Sequence, residues 1–532
     1  MLLEIGLICL TLFLILYRYV TKNFDHWKRQ GVPHIEGHFP YGSHIELLTQ
    51  SKHFNVLVKE NYERFKNEDF HGMFLFGKPV LVVQNLELIR NIMVKDFNHF
   101  VDRNCAGQNM MNEGGELDQL WGKGMTDLCG DEWKKVRFTF TPIFTSGKMK
   151  CMLKFMLEVS TRLREEINLL ADNGQHFELK ELFGKFSIDS LATCAFGINP
   201  NSFKEVDGPF IKNAASIFQV SAFESLKLFS RLIPGSGWLQ KKLKIDAFKP
   251  KETRFFRDIV ISTIQHRRKT GQKANDLIDL MLDCMKPSEE GNVENKDEEG
   301  YGLVEQDVNL KFKKKRVELN EDIVVSNCLL FLAAGYDTTG KTLAFLGYYL
   351  SKHPEIQANL QEEIDQAYSD NDGKVPEYNT IQELPYLDMC VLETLRLSGG
   401  EALIRACTKD YVLPNTDITI KRDDLVIIPG SGIHLDERYY PDPDTFNPEN
   451  FRKERKQSRS PYTFLGFGQG PRACIGMRFA LLATKVAIMG ILRSYSFVYS
   501  EKNPVDLVID PASMVGYVKE GLHAKVVRRS ED

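Results

Sequence analysis

The chain has 532 residues, 43% of them apolar and 26% charged, with 68 Lys and Arg against 72 Asp and Glu for a net charge of −4. These proportions exclude a disordered chain, a fibrous repeat and a polytopic membrane protein, and the near-neutral charge offers no basic field to nucleic acid. The ten cysteines form no CxxC pair and no two lie closer than 17 residues, which excludes a disulfide scaffold and a zinc module and suits a reducing compartment.

The first element is an unbroken apolar run from Ile5 to Tyr17, extended by Leu2, Leu3 and Val20. At about 19 residues it approaches the ~20 needed to cross a hydrocarbon core. A cleaved signal peptide is the alternative, but residues 17–22 offer no small-x-small site. Arg18, Lys22, Lys28 and Arg29 follow the apolar run and favour a cytoplasmic position for what comes after. Residues 1–22 are therefore expected to be an uncleaved transmembrane anchor, and 23–532 one domain. Gly31 to Pro40 is turn-rich and reads as a stiff lead into that domain. Lys78–Val83 is strand-like, and Leu153–Leu170 reads as an amphipathic helix. Phe223–Leu239 is apolar for a connection, either core or a segment that dips into a bilayer. The charged, Gly- and Asn-rich stretch from Lys286 to Lys315 is expected to be a surface loop. Glu355–Tyr368 follows Pro354 as a second amphipathic helix, and Val412–Ile420 and Leu425–Ile428 are β-like. The fold class expected is mainly α with small β-sheets in a single large domain.

Two segments carry chemistry. Asn320-Glu321-Asp322 resembles an N-cap with an acidic first turn, and Ile323–Leu350 then gives about 42 Å of helix. Asp337 and Lys341 in its middle argue against a membrane span. Gly335 costs about 1 kcal/mol in a helix interior, and the polar groups of Asp337, Thr338 and Thr339 need partners there. A solvent-facing stripe is the alternative, disfavoured by apolar residues on every side. The second segment, Phe464–Ala480, is a glycine-rich loop up to Pro471 and then a helix-forming run from Ile475. Cys474 would sit just before the helix N-terminus, where unpaired N–H groups and the dipole favour a thiolate, so the thiol is expected to ionise easily.

Phe467-x-x-Gly470-x-Arg472-x-Cys474-x-Gly476 resembles the haem-binding loop of the cytochrome P-450 family. Ala334-Gly335-Tyr336-Asp337-Thr338-Thr339 is similar to that family's oxygen-binding step, and Glu393-x-x-Arg396 to the ion pair beside the haem loop. Residues 140–148 resemble the animal microsomal branch that includes detoxifying enzymes. The resemblance implies the cytochrome P-450 fold and haem b, with Cys474 as axial ligand of the iron and Phe467 in its loop. It also implies that Trp133, Arg137, Arg405 and Arg472 face the haem propionates. Thr338 would hydrogen-bond the bound oxygen or its water beside a local kink, and Asp337 would relay protons. The pocket would be lined by residues 106–128, Phe331, Ala334, 400–403 and 513–515, small and apolar, for a lipophilic substrate. Two departures stand out: Asn450 replaces an arginine of the family's meander, and Leu397-Ser398-Gly399-Gly400 lacks a usual proline.

The implied activity is insertion of one atom of O2 into a lipophilic small molecule, in the endoplasmic reticulum membrane with the domain facing the cytosol. NADPH-derived electrons would come from a separate flavoprotein reductase, with cytochrome b5 as a further donor. Arg452, Lys453, Arg455, Lys456 and Arg459, with Lys134 and Lys135, are expected either to dock that reductase or to be a solvated charge run. The rival readings are a haem-thiolate isomerase or dehydratase acting on peroxides, and a haem binding protein without turnover. An intact Asp337-Thr338 pair argues against both.

Overall fold

The structure, a computed structural model, describes residues 2–529 apart from 104–110, 113, 206–207, 218, 220, 222, 225–226, 228–230, 232–235, 275 and 285–318. The loop expected at Lys286–Lys315, most of Phe223–Leu239 and the start of the 106–128 stretch lie outside the described residues.

Helix α1, Leu2–Thr21, has no buried residue. Its aromatic side chains meet the lead: the rings of Phe13 and Tyr17 lie 5.7 and 5.2 Å from Phe39. The chain after α1 is fastened to the domain by Trp27, which is fully buried and donates its indole N–H to the Met73 carbonyl at 3.0 Å. Helix α2, Phe54–Arg64, precedes strands β1, Phe70–Leu75, and β2, Lys78–Val83. A Cβ on Gly72 of β1 would fall 2.4 Å from the Trp27 ring, so the glycine makes the seat for that indole.

The helical body follows: α3, Gly130–Phe140; α4, Ser146–Asp172; α5, Leu179–Phe196; and α6, Pro250–Thr270. At its centre α7 runs unbroken from Glu321 to Lys352, with Asn320 capping it by accepting from the Ile323 N–H at 2.9 Å. Both α5 and α7 are apolar on nearly all sides and buried along most of their length, as helices at the middle of a large core must be. They cross closely at small residues: a Cβ on Gly340 would touch Gly184, and one on Gly335 would come within 2.8 Å of Leu191. Gly335 therefore answers to the approach of α5, which offsets its cost in a helix.

Helices α8, Pro354–Ser369, and α9, Pro385–Ser398, lead to β3, Ala402–Ala406, and β4, Leu425–Pro429. Strands β1, β2, β4 and β3 form one sheet in that order, β2 and β4 parallel and the outer pairs antiparallel. The run expected from Val412 to Ile420 is two short strands, Tyr411–Val412 and Thr419–Ile420, paired across a turn. Pro414 cannot donate to a ladder and Asn415 takes φ +62°, so the chain reverses there. Helix α10, Met477–Leu492, is followed by β5, Tyr495–Tyr499, and β6, His523–Arg528, which pair antiparallel.

Candidate active site

The loop from Phe464 to Gly476 is held at several points. Gly468 and Gly470 have φ of +71° and +69°, and a Cβ on Gly470 would lie 2.1 Å from the Met93 carbonyl oxygen, so only glycine fits. Gln469, fully buried, donates to the carbonyls of Pro461 and Phe464 at 3.1 and 3.2 Å. The Cys474 N–H donates to the Phe467 carbonyl at 2.8 Å, closing the loop two residues before the Gly476 cap of α10. Cys474 thus stands at the helix N-terminus as the sequence predicts.

Its ionisation differs from the sequence expectation. The Cys474 side chain is accessible yet enclosed by protein, and burial pushes its pKa up. The Gly476 N–H and the guanidinium groups of Arg137 and Arg103 pull the other way without prevailing. The helix terminus alone does not make this thiol a thiolate; a coordinated metal ion would.

Four arginines gather around it. Arg137 lies on α3 one turn after Trp133, and no hydrogen bond or ion pair among the described residues occupies its guanidinium. Arg405 on β3 is buried, with one Nη donating to the Ile404 carbonyl and its Nε unpartnered. Arg103, which nothing in the sequence singled out, donates from Nη2 to the Arg472 carbonyl at 3.1 Å and also has a buried, unpartnered Nε. Burial pushes the pKa values of Arg103, Arg137 and Arg405 down, and the Cys474 side chain partly restores the first two. Arg472 is tied more firmly. Its Nε, Nη1 and Nη2 donate to the carbonyls of Val101, Met125 and Leu128 at 2.8, 3.0 and 2.7 Å, and its guanidinium lies 4.0 Å from the Trp133 ring centre. Arg472 and Trp133 therefore act together as a clasp between the loop and the segment before α3.

A soft sulfur, several desolvated guanidinium groups and two orphaned Nε–H donors suit a metal-centred group that carries two carboxylates. Haem b fits that donor set.

The polar step of α7 faces the same interior. Ala334 and Thr338, one turn apart, are accessible within an otherwise buried helix, and the Thr338 hydroxyl donates to the Ala334 carbonyl at 2.6 Å. Asp337 is 2% exposed and accepts from Lys180 of α5 at 2.6 Å, while its second oxygen is unpartnered. The polar groups are thus not a solvent stripe.

The scaffold pair is wholly buried. Arg396 donates to both oxygens of Glu393 at 2.7 and 2.8 Å and to the carbonyls of His434, Pro443 and Thr445. Glu393 also accepts from the Asn447 N–H at 2.9 Å and from the Asn450 amide at 3.1 Å, so Asn450 fills the third place with a hydrogen bond and no charge. A cation stands nearby all the same: Arg459 lies 4.2 Å from the Tyr440 ring centre, donates to the Asn450 carbonyl, and feels Glu393. Arg459 is thus engaged inward and leaves the basic run expected to dock a reductase, in which Arg452 is already paired with Glu449.

His434 joins this scaffold to the loop. Its Nε2 accepts from the Leu465 N–H at 2.7 Å and its Nδ1 faces the Arg396 carbonyl at 3.0 Å, which puts the proton on Nδ1. It stacks on Phe464, and burial pushes its pKa down to about 3, so it stays neutral. Neither His434 nor Arg103 sits in a sequence pattern that reasoning from one chain could have used.

Comparison with known proteins agrees with the site. The family profile described as Cytochrome P450 matches residues 33–520. The protein named "Probable cytochrome P450 6a14" of Drosophila melanogaster is 32% identical over 96% of this chain and 97% of its own. "Cytochrome P450 6k1" of Blattella germanica is 31% identical over 97% and 96%, and "Cytochrome P450 9e2" of the same cockroach 33% over 93% of each. With a profile spanning most of the chain and relatives of matching length, this chain belongs to the cytochrome P450 family, whose members are haem-dependent monooxygenases.

Proposed function

We propose that the protein is a haem-thiolate monooxygenase that inserts one atom of O2 into a lipophilic small molecule, and that the Cys474 sulfur would hold the haem iron. The observation that carries this reading is the Cys474 thiol, accessible at the α10 N-terminus between Arg103 and Arg137. Haem bound there supplies the reduction of dioxygen that the side chains themselves cannot perform. The Gly476 N–H holds the sulfur. Arg103, Arg137 and Arg405 would hold the propionate carboxylates, and the orphaned Nε–H groups of Arg103 and Arg405 would gain partners in doing so. Arg472 and Trp133 keep the loop and the α3 entry in register, and Phe467 closes the loop through its carbonyl. Thr338 would present its hydroxyl to the reacting side of the pocket, and Asp337 would pass it protons drawn through Lys180.

Electrons are supplied by an NADPH-dependent flavoprotein reductase, with cytochrome b5 as a second donor. The exposed basic groups Lys453, Arg455 and Lys135 are the docking side chains. Residues 1–22 anchor the enzyme in the endoplasmic reticulum membrane with residues 23–532 as a single cytosol-facing domain. The apolar α1, none of whose residues is buried, supports the anchor. A reduced-CO difference spectrum tests the ligation. The wild type should show the red-shifted thiolate Soret band and Cys474→Ser should lose it; a wild-type band at the position of a neutral ligand would refute the assignment of Cys474.

A further inference from the structure

Gly399 and Gly400 end α9 and turn the chain into β3. Gly400 has φ +74°, and a Cβ there would come within 2.6 Å of His434 Nδ1 and 3.0 Å of the Gly430 backbone, so the turn admits only glycine. The next residue is Glu401, in a stretch expected to be small and apolar. Its surroundings are fixed by long-range bonds. The N–H of Ala402 donates to Asn55 of α2 at 3.0 Å, His53 bonds the Ser513 carbonyl at 3.0 Å, and Lys341 of α7 donates to the Val515 carbonyl at 2.5 Å. Glu401 therefore stands where β3, α2, residues 513–515 and α7 meet, with Lys341 one helical turn beyond Asp337 and Thr338.

The Glu401 side chain is accessible, yet the protein packed around it pushes its pKa up. Cys474 shows the same combination, which marks groups on the wall of an interior chamber and not on the outer surface. Arg103 links the two, since it feels both the Cys474 sulfur and the Glu401 carboxylate. Among the described residues no hydrogen bond or ion pair occupies that carboxylate; Lys341 and Arg103 act on it only through space, and Asp337 opposes them. Lys341, itself buried, is the strongest charge acting on Glu401, ahead of Asp337 and Arg103, and already offsets the carboxylate, so the site does not call for a cationic substrate. What the wall offers is an accessible acceptor oxygen with no hydrogen-bond or ion-pair partner among the described residues.

We propose that Glu401 is a specificity-determining residue of this monooxygenase and that its carboxylate accepts a hydrogen bond from a neutral hydroxyl group on a lipophilic substrate, an alcohol or a phenol. This rests on the monooxygenase reading above. A hydrogen bond to a charged group contributes about 1.5–3 kcal/mol, on the order of 10- to 100-fold in affinity.

The test uses the purified, haem-loaded full chain, with binding read as the substrate-induced shift of the Soret band. Matched pairs that differ only in a hydroxyl or its methyl ether are titrated: 1-dodecanol and methyl dodecyl ether, 4-nonylphenol and 4-nonylanisole. The wild type should bind at least one hydroxyl compound roughly 10-fold more tightly than its ether. Glu401→Leu should abolish that preference, and Glu401→Gln, whose amide oxygen accepts more weakly, should reduce it. A wild type that prefers no hydroxyl compound overturns the proposal, as does a preference unchanged in E401L or, where E401L folds poorly, in E401Q. The reduced-CO band is recorded on every sample: its absence from the wild type would sink the thiolate reading, whereas its presence without hydroxyl preference sinks only the role of Glu401.

Discussion

Replacing Lys180 with methionine perturbs the α7 polar step without touching α7. The pair it removes is close, Nζ to Oδ1 at 2.6 Å, and Asp337 is 2% exposed with its other oxygen already unpartnered. Removing one partner of a fully buried pair costs about 3–5 kcal/mol. Lys180 is 23% exposed, so screening lowers this to about 1–3 kcal/mol. The cation over the Tyr517 ring, 4.7 Å from its centre, adds about 0.5–1 kcal/mol. The expected total is about 1.5–4 kcal/mol, read as a fall in the temperature at which the reduced-CO band is lost. A carboxylate that has lost the cation holding it in place can no longer relay protons to Thr338, so Lys180→Met should also release more hydrogen peroxide per NADPH consumed. A cycle with Asp337→Asn isolates the pair and should show a coupling of about 1–3 kcal/mol. Additive effects on stability would refute the pairing. Destabilisation with unchanged peroxide release would leave the ion pair as scaffold and remove Asp337 from the proton path.

Further substitutions probe the frame. Asn450→Ala removes one charge-assisted donor from Glu393 and should cost about 1.5–3 kcal/mol in thermal stability, while Arg459→Met should weaken the same region non-additively with it, because Arg459 donates to the Asn450 carbonyl. Gly470→Ala forces a side chain onto φ +69° and into the Met93 carbonyl, and should abolish the thiolate spectrum. Asp424 is buried, with its pKa raised from 3.8 to about 6, first by burial and despite the Lys421 N–H. The native state therefore binds the proton more tightly than the unfolded chain. Stability should fall as pH rises from about 4 to 6 and be flat above, by at most about 3 kcal/mol. Asp424→Asn should flatten that slope in a chemical-denaturation series, and an unchanged slope would assign it to other groups.

Legibility in the sequence followed the range of the forces. The Asn320 cap, the strand at 78–83, the helix after Pro354 and the glycine-rich loop up to Pro471 are set by residues a few positions apart, and each is readable locally. Lys180 and Asp337 are partners only because α5 crosses α7 at Gly184 and Gly340, and no local pattern announces such a crossing. His434 and Arg103 escaped for the same reason, since their partners lie some 38 and 369 residues away. The ionisation of Cys474 shows the limit most plainly. A helix terminus is a local feature and lowers a thiol pKa, but burial is a tertiary quantity, and here it outweighs the terminus. Gly335 reads locally as a cost, and its reason, Leu191, sits on another helix.

The guanidinium cluster makes an opposite-sign prediction for the two states of the protein. On top of burial, Arg103 depresses the pKa of Arg405, and Arg103 and Arg405 both depress that of Arg472, so in the haem-free chain these are desolvated charges beside like charges. With carboxylates bound, Arg103 and Arg405 gain charge-assisted partners that offset the repulsion. Arg405→Leu should therefore raise the protease resistance of protein expressed under inhibited haem synthesis, while in the loaded protein it should speed transfer of haem to apomyoglobin. Arg472→Leu should instead weaken both states, because three of its donors serve the carbonyls of Val101, Met125 and Leu128 whether or not haem is present. A loss of stability in both states for R405L would mean that Arg405, too, is held by the protein and not by the propionates, and would remove it from the haem-binding set.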